Sequence, residues 1–103
     1  MAQTAAIAPA LTAGTTSADI SIPAFENWIV GIYTDDANGF QALLNEQSII
    51  VYIDTPSSAD TIECVLTRNN PVVQIPGKCT IRLKRPAQPS GSVNIGAFLN
   101  DNT

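Results

Sequence analysis

The side chains of this 103-residue chain that could take part in chemistry are nine carboxylates, five cations and two cysteines, with no histidine. Without imidazole there is no ordinary proton shuttle near neutral pH, and the commonest metal ligand is missing. Ser-His-Asp and Cys-His nucleophile arrangements are excluded as well. Cys64 and Cys79 do not follow a C-x-x-C spacing, so neither a redox pair nor a zinc knuckle is indicated. Two thiolates also fall short of the four ligands of a structural zinc site. Both cysteines sit on the apolar side of an alternating pattern, which reads as two small buried hydrophobes. Nothing next to either one in sequence would depress a thiol pKa, so a nucleophile is not indicated. A disulfide between them is sterically open if segments 61–67 and 79–85 stack face to face.

The carboxylates Asp35, Asp36, Asp54, Asp60 and Glu63 fall in or beside turn segments, where such groups cap local amides and keep a surface soluble. No D-x-[DN]-x-[DN]-G loop marks a calcium site. A glycosidase pair would need two carboxylates at a set separation across a cleft, which spacing along the chain does not show. The expectation is therefore a protein with no cofactor, no metal and no enzymatic activity.

The cations are more informative. Arg68, Lys78, Arg82, Lys84 and Arg85 are all the basic residues there are, and no Asp or Glu lies between Cys64 and Asn100. Alternation in CTIRLKR puts Arg82 and Lys84 on the outward face of a strand, with Lys78 and Arg85 flanking it. One reading is a solvated face with edge protection. The other is an interface in which the basic strip of one subunit meets the acidic loops of another. Nucleic acid is a poor fit, because residues 68–85 contain no aromatic for base stacking and the net charge is −4.

These side chains must be positioned by short strands. Beta-branched and aromatic residues alternate through 20–22, 25–34, 49–54, 61–67, 72–75, 79–85 and 92–99. Phe40, Ala42 and Leu44 suggest a return strand after a hairpin at Asn38-Gly39, although QALLNEQ could equally form one helical turn. Turn signals such as DDANG, RNNP and IPGK recur between the strands, and no segment is long enough for a crossover helix. The fold class expected is all-β, a small antiparallel β-sandwich or barrel of seven or eight short strands spanning 19–101. Residues 1–18, rich in Ala and Thr, are expected to be a flexible arm. There is no apolar run long enough for a bilayer and no basic, apolar leader. Synthesis in a cytoplasm, with no membrane partner, is the expectation.

From residue 20 onwards the chain resembles the small all-beta virion structural proteins of tailed bacteriophages. The resemblance lies in the turn and strand IPGKCTIRLKRP and the closing strand SVNIGAFLNDN, which in such proteins follow an Ala/Thr-rich start. It implies a capsid decoration or accessory head subunit, made in the host cytoplasm and located on the virion. The partners it implies are identical subunits in a homo-oligomer such as a trimer, and the major capsid or other virion proteins. It carries over no catalytic residue. Two further readings remain beside it. One is a sugar- or receptor-binding module using Trp28, Tyr33 or Tyr52. The other is a single-stranded nucleic-acid binder using the basic face.

Overall fold

Stretches of alternating beta-branched residues become strands because one side of each is apolar and must be covered. The computed structural model describes the backbone of residues 2–55 and 58–101, and the side chains of residues 4–54 and 64–100. Among the described residues there are nine strands, in the order β1 (Ala2–Ala10), β2 (Thr15–Thr16), β3 (Ile20–Ile22), β4 (Asn27–Tyr33), β5 (Ser48–Thr55), β6 (Ser58–Thr67), β7 (Val72–Pro76), β8 (Cys79–Arg85) and β9 (Ile95–Asp101). They form two antiparallel sheets. The first runs β1-β9-β4-β7 and the second β2-β8-β5-β6, with β3 also paired to β8.

The inner faces of the two sheets share one core. Val30, Ile32, Ile75, Ile95 and Ala97 come from the first sheet, and Ile22, Ile49, Val51, Leu66, Ile81 and Leu83 from the second. In β8 the alternation is strict, with Ile81 and Leu83 buried and Arg82 and Lys84 between them facing out. A slip of one residue would exchange those sets and bury Arg82 and Lys84.

Residues 2–10 are not the flexible arm expected from their composition. They pair with β9 as an edge strand, and Ile7 enters the core at 4% exposure. An Ala-rich segment has little to bury by itself, but β9 offers it a ladder edge and one apolar slot, which is enough to order it. Pro9 lacks an N–H, which an edge strand tolerates. The register with β9 shifts on both sides of Ile7.

Residues 34–47 form neither the hairpin nor the return strand, and of the two alternatives open for residues 40–47 the helical turn is the nearer. They cross from the first sheet to the second through a single 3-10 turn, Gly39–Ala42. Asp36 starts the crossing: its Oδ1 accepts from the Asn38 amide at 2.8 Å and its carbonyl from the Gly39 amide at 3.0 Å. Gly39 takes φ +64°, where a side chain is disfavoured. Leu43 then drops into the core. Gln47 is fully buried, with Oε1 accepting from the Leu44 amide and Nε2 donating to the Val93 carbonyl, so the crossing is fastened at its far end.

Candidate functional site

The five cations singled out by sequence do not form one surface. Lys78 and Arg68 are exposed in turns, and Arg68 donates to the Leu43 carbonyl at 3.3 Å. Arg82 and Lys84 do share the outer face of β8, where they border a small recess with Thr16 and Tyr52. Arg82, however, is engaged within its own chain. Its Nη2 donates to Asp54 Oδ1 at 2.6 Å and its Nε lies 3.3 Å from Asp19 Oδ1. The strip is therefore partly neutralised before any partner arrives.

Arg85 does not belong with the outward cations beside which its sequence position places it: it is only 2% exposed. It falls in phase with Cys79, Ile81 and Leu83, so its side chain enters the space between the sheets. Its Nη1 donates at 2.8 Å to the carbonyls of Ala8 and Ile95, next to the irregular pairing around Pro9. Nε donates to the Thr12 carbonyl at 2.9 Å, and Nη2 to Thr15 Oγ1 at 3.1 Å. One planar fork thus ties β1 and β9 of the first sheet to β2 of the second. Burial lowers the guanidinium pKa from its ordinary value by disfavouring the charged form. Even so, an arginine starts so high that it stays charged at neutral pH. Arg85 holds the fold together and presents nothing to a partner.

The cysteines are likewise separated. β5 lies between β6 and β8, pairing Val51 with Cys64 on one side and with Leu83 on the other. Two ladder spacings of about 4.8 Å put the cysteine Cα atoms beyond disulfide reach. The face-to-face stacking that would have joined them does not occur, and they are not bonded to each other. Both are half-buried.

The feature that the sequence reading did not single out is the outer face of the first sheet. Ala5, Phe98, Gly31 and Val72 stand in one row across β1, β9, β4 and β7. Gly31 is required there: a Cβ on it would lie 2.3 Å from the Phe98 ring. With no side chain beneath it, the ring lies over β4 and meets Tyr33 edge-on, centroids 6.1 Å apart. Thr4, Ala5, Tyr33, Phe40, Pro71, Val72 and Phe98 enclose an open concavity of about 480 Å³. Among the described residues, no charged side chain lines it. The signal for this face was present in the alternation Ile29, Gly31, Tyr33, but alternation does not say which side of a strand will stay uncovered.

Trp28 is half-buried against the core, with Nε1 donating to Glu26 Oε1 at 2.9 Å. It is not a bare stacking platform. Tyr33 and Tyr52 are also half-buried. Among the described residues, no group of three or more His, Cys, Asp or Glu side chains gathers as metal ligands, and no helix is long and apolar enough to cross a membrane. Neither protein-family models, nor curated proteins, nor solved structures give a match to this chain.

Proposed function

We propose that this protein is a structural subunit of a virion, a capsid decoration or accessory head protein that acts by assembling with identical subunits and with the particle surface. Its two sheets are read as an open β-sandwich. The observation that carries the proposal is the uncharged, aromatic outer face of the first sheet. A two-sheet domain ordinarily turns polar side chains outward on such a face. Contiguous apolar surface with a polar surround marks a contact site more often than a solvent boundary. The phage-like pattern of IPGKCTIRLKRP and the closing strand supplies the setting. The basic strip is the weaker candidate contact, since Arg82 already has two carboxylates and Arg85 is inside.

Light scattering or mass photometry of the purified protein, alone and with assembled capsids, tests the proposal. A particle mass at a multiple of the subunit mass, together with capsid attachment, is the expected result. A monomer at every concentration that leaves capsids bare refutes it. The aromatic lining also favours a second reading, a sugar- or receptor-binding module with Tyr33 as a stacking surface. Saturable glycan binding by a monomer would select that reading instead.

A further inference from the structure

Phe25 is fully exposed, at 102% of its reference surface. It is also the one described non-glycine residue with positive φ, at +66°. A bulky side chain is uncommon in that left-handed conformation and persists only where its surroundings hold it. They do so here. Phe25 sits in the turn before β4, closed by the Glu26 amide donating to the Pro23 carbonyl at 3.3 Å. The neighbouring turn before β8 braces it, with the Gly77 amide donating to the Glu26 carbonyl at 2.8 Å. Gly77 is packed so closely on Pro23 that a Cβ would overlap the Pro23 carbonyl. An aromatic ring is thus presented to solvent on a stiff double turn, in a backbone state that glycine would adopt more readily.

The same sheet carries an apolar concavity near the opposite end of β4. Phe25 precedes Asn27, and the concavity begins beside Gly31, whose partners Phe98 and Val72 line it. At about 3.3 Å per residue the two features lie on the order of 20 Å apart along the strand. Phe25 cannot fill the concavity of its own chain. The charges next to the two features complement each other. Lys78 is exposed in the turn beside Phe25, and Asp35 is exposed just after Tyr33. Three other described charges near these ends are engaged within the chain, Glu26 with Trp28 Nε1, Asp36 with the Asn38 amide and Arg68 with the Leu43 carbonyl.

We infer that identical subunits join head to tail, with Phe25 of one copy seated in the Tyr33–Phe40–Val72–Phe98 concavity of the next and Lys78 meeting Asp35 at its edge. This deepens the assembly reading above and rests on it. The contact is heterologous: each subunit offers a projection at one end and a recess at the other. Such a contact closes into a ring where the rotation between copies permits, and otherwise extends into a filament. An aromatic anchor entering an apolar pocket is also the kind of contact that dominates binding energy.

The test uses two variants of the full chain, Phe25→Ala and Val72→Glu, with sedimentation velocity over a concentration series. Both positions are exposed, and thermal melts followed by circular dichroism establish that each variant folds. Wild type is expected to form a ring or filament. Each variant alone is expected to sediment as a monomer. Mixed in equal amounts, they should form dimers and nothing larger, because Phe25 of the Val72→Glu chain enters the intact concavity of the Phe25→Ala chain and each dimer is then capped. A contact related by a two-fold axis would instead stop the wild type at a dimer, and that result overturns the head-to-tail contact. An oligomeric wild type whose mass Phe25→Ala leaves unchanged overturns the head-to-tail contact and leaves the assembly reading standing. So does a mixture that remains monomeric. A monomeric wild type overturns the head-to-tail contact, and the assembly reading falls with it where that monomer also leaves capsids bare.

Discussion

The two outer faces of this small domain have opposite characters. The second sheet turns out Arg82, Lys84 and Asp54, beside Tyr52 and Thr16, and its strongest charges pair with each other. The first sheet turns out Ala5, Val72, Tyr33 and Phe98, the first two exposed and the two rings half-buried, with Gly31 buried beneath the Phe98 ring. A face whose charges are satisfied internally has little to gain from a partner. A face of apolar rings over a bare glycine backbone gains free energy from any surface that excludes water, about 25 cal/mol per Å² of apolar area. Charge draws attention in a sequence, yet in this protein the apolar concavity of the first sheet is the better candidate for contact.

The sharpest way to break the comparison is through the cation of β8 that does not belong to the charged face. Arg85→Met keeps the length and removes the donors, leaving the carbonyls of Ala8, Thr12 and Ile95 without them. The expected loss is about 3–5 kcal/mol in urea unfolding, because several buried carbonyls each lose a donor at about 1–3 kcal/mol, offset in part by no longer burying a charge. That is a large share of the roughly 5–15 kcal/mol that holds a domain folded. Arg85→Lys should fall between, since an ammonium keeps the charge but cannot reproduce the planar fork. A loss below about 1 kcal/mol for Arg85→Met would return Arg85 to the surface strip.

A smaller effect is expected on the apolar face. Gly31→Ala places a methyl group where the Phe98 ring now lies and should cost about 1–3 kcal/mol as the ring moves aside. Its edge-on contact with Tyr33 should be lost with it. Oligomer mass should fall in the same variant, because the concavity loses its shape. Retention of both stability and mass would mean that the row under Phe98 is ordinary surface.

The smallest effect is expected from Arg82→Ala, on the charged face. Its partly exposed pairs with Asp54 and Asp19 should contribute about 1 kcal/mol or less. The difference from wild type should shrink further as salt is added. Oligomer mass should not change. Dissociation on this substitution would reverse the roles of the two faces.

The sequence by itself determined most of the strands after residue 19 and their inner sides. Ile81 and Leu83 in β8, Val30 and Ile32 in β4, and Ile49 and Val51 in β5 are buried as their period-two pattern requires, since that period is a local property of the extended chain. It also determined the lack of imidazole chemistry, which needs no coordinates. The tertiary structure alone decided three other things. Residues 2–10 became a strand because β9 had an edge to pair with, which their own composition does not reveal. Cys64 and Cys79 were kept apart because β5, nearer the amino terminus than either, took the place between their strands. Arg85 went inward although its charge argued against it. Its phase in β8 aimed it between the sheets, and the carbonyls that made burial tolerable lie ten residues after it and more than seventy before it. Alternation is read from neighbours in the chain, whereas strand order, edges and hydrogen-bond partners are set by contacts between distant segments.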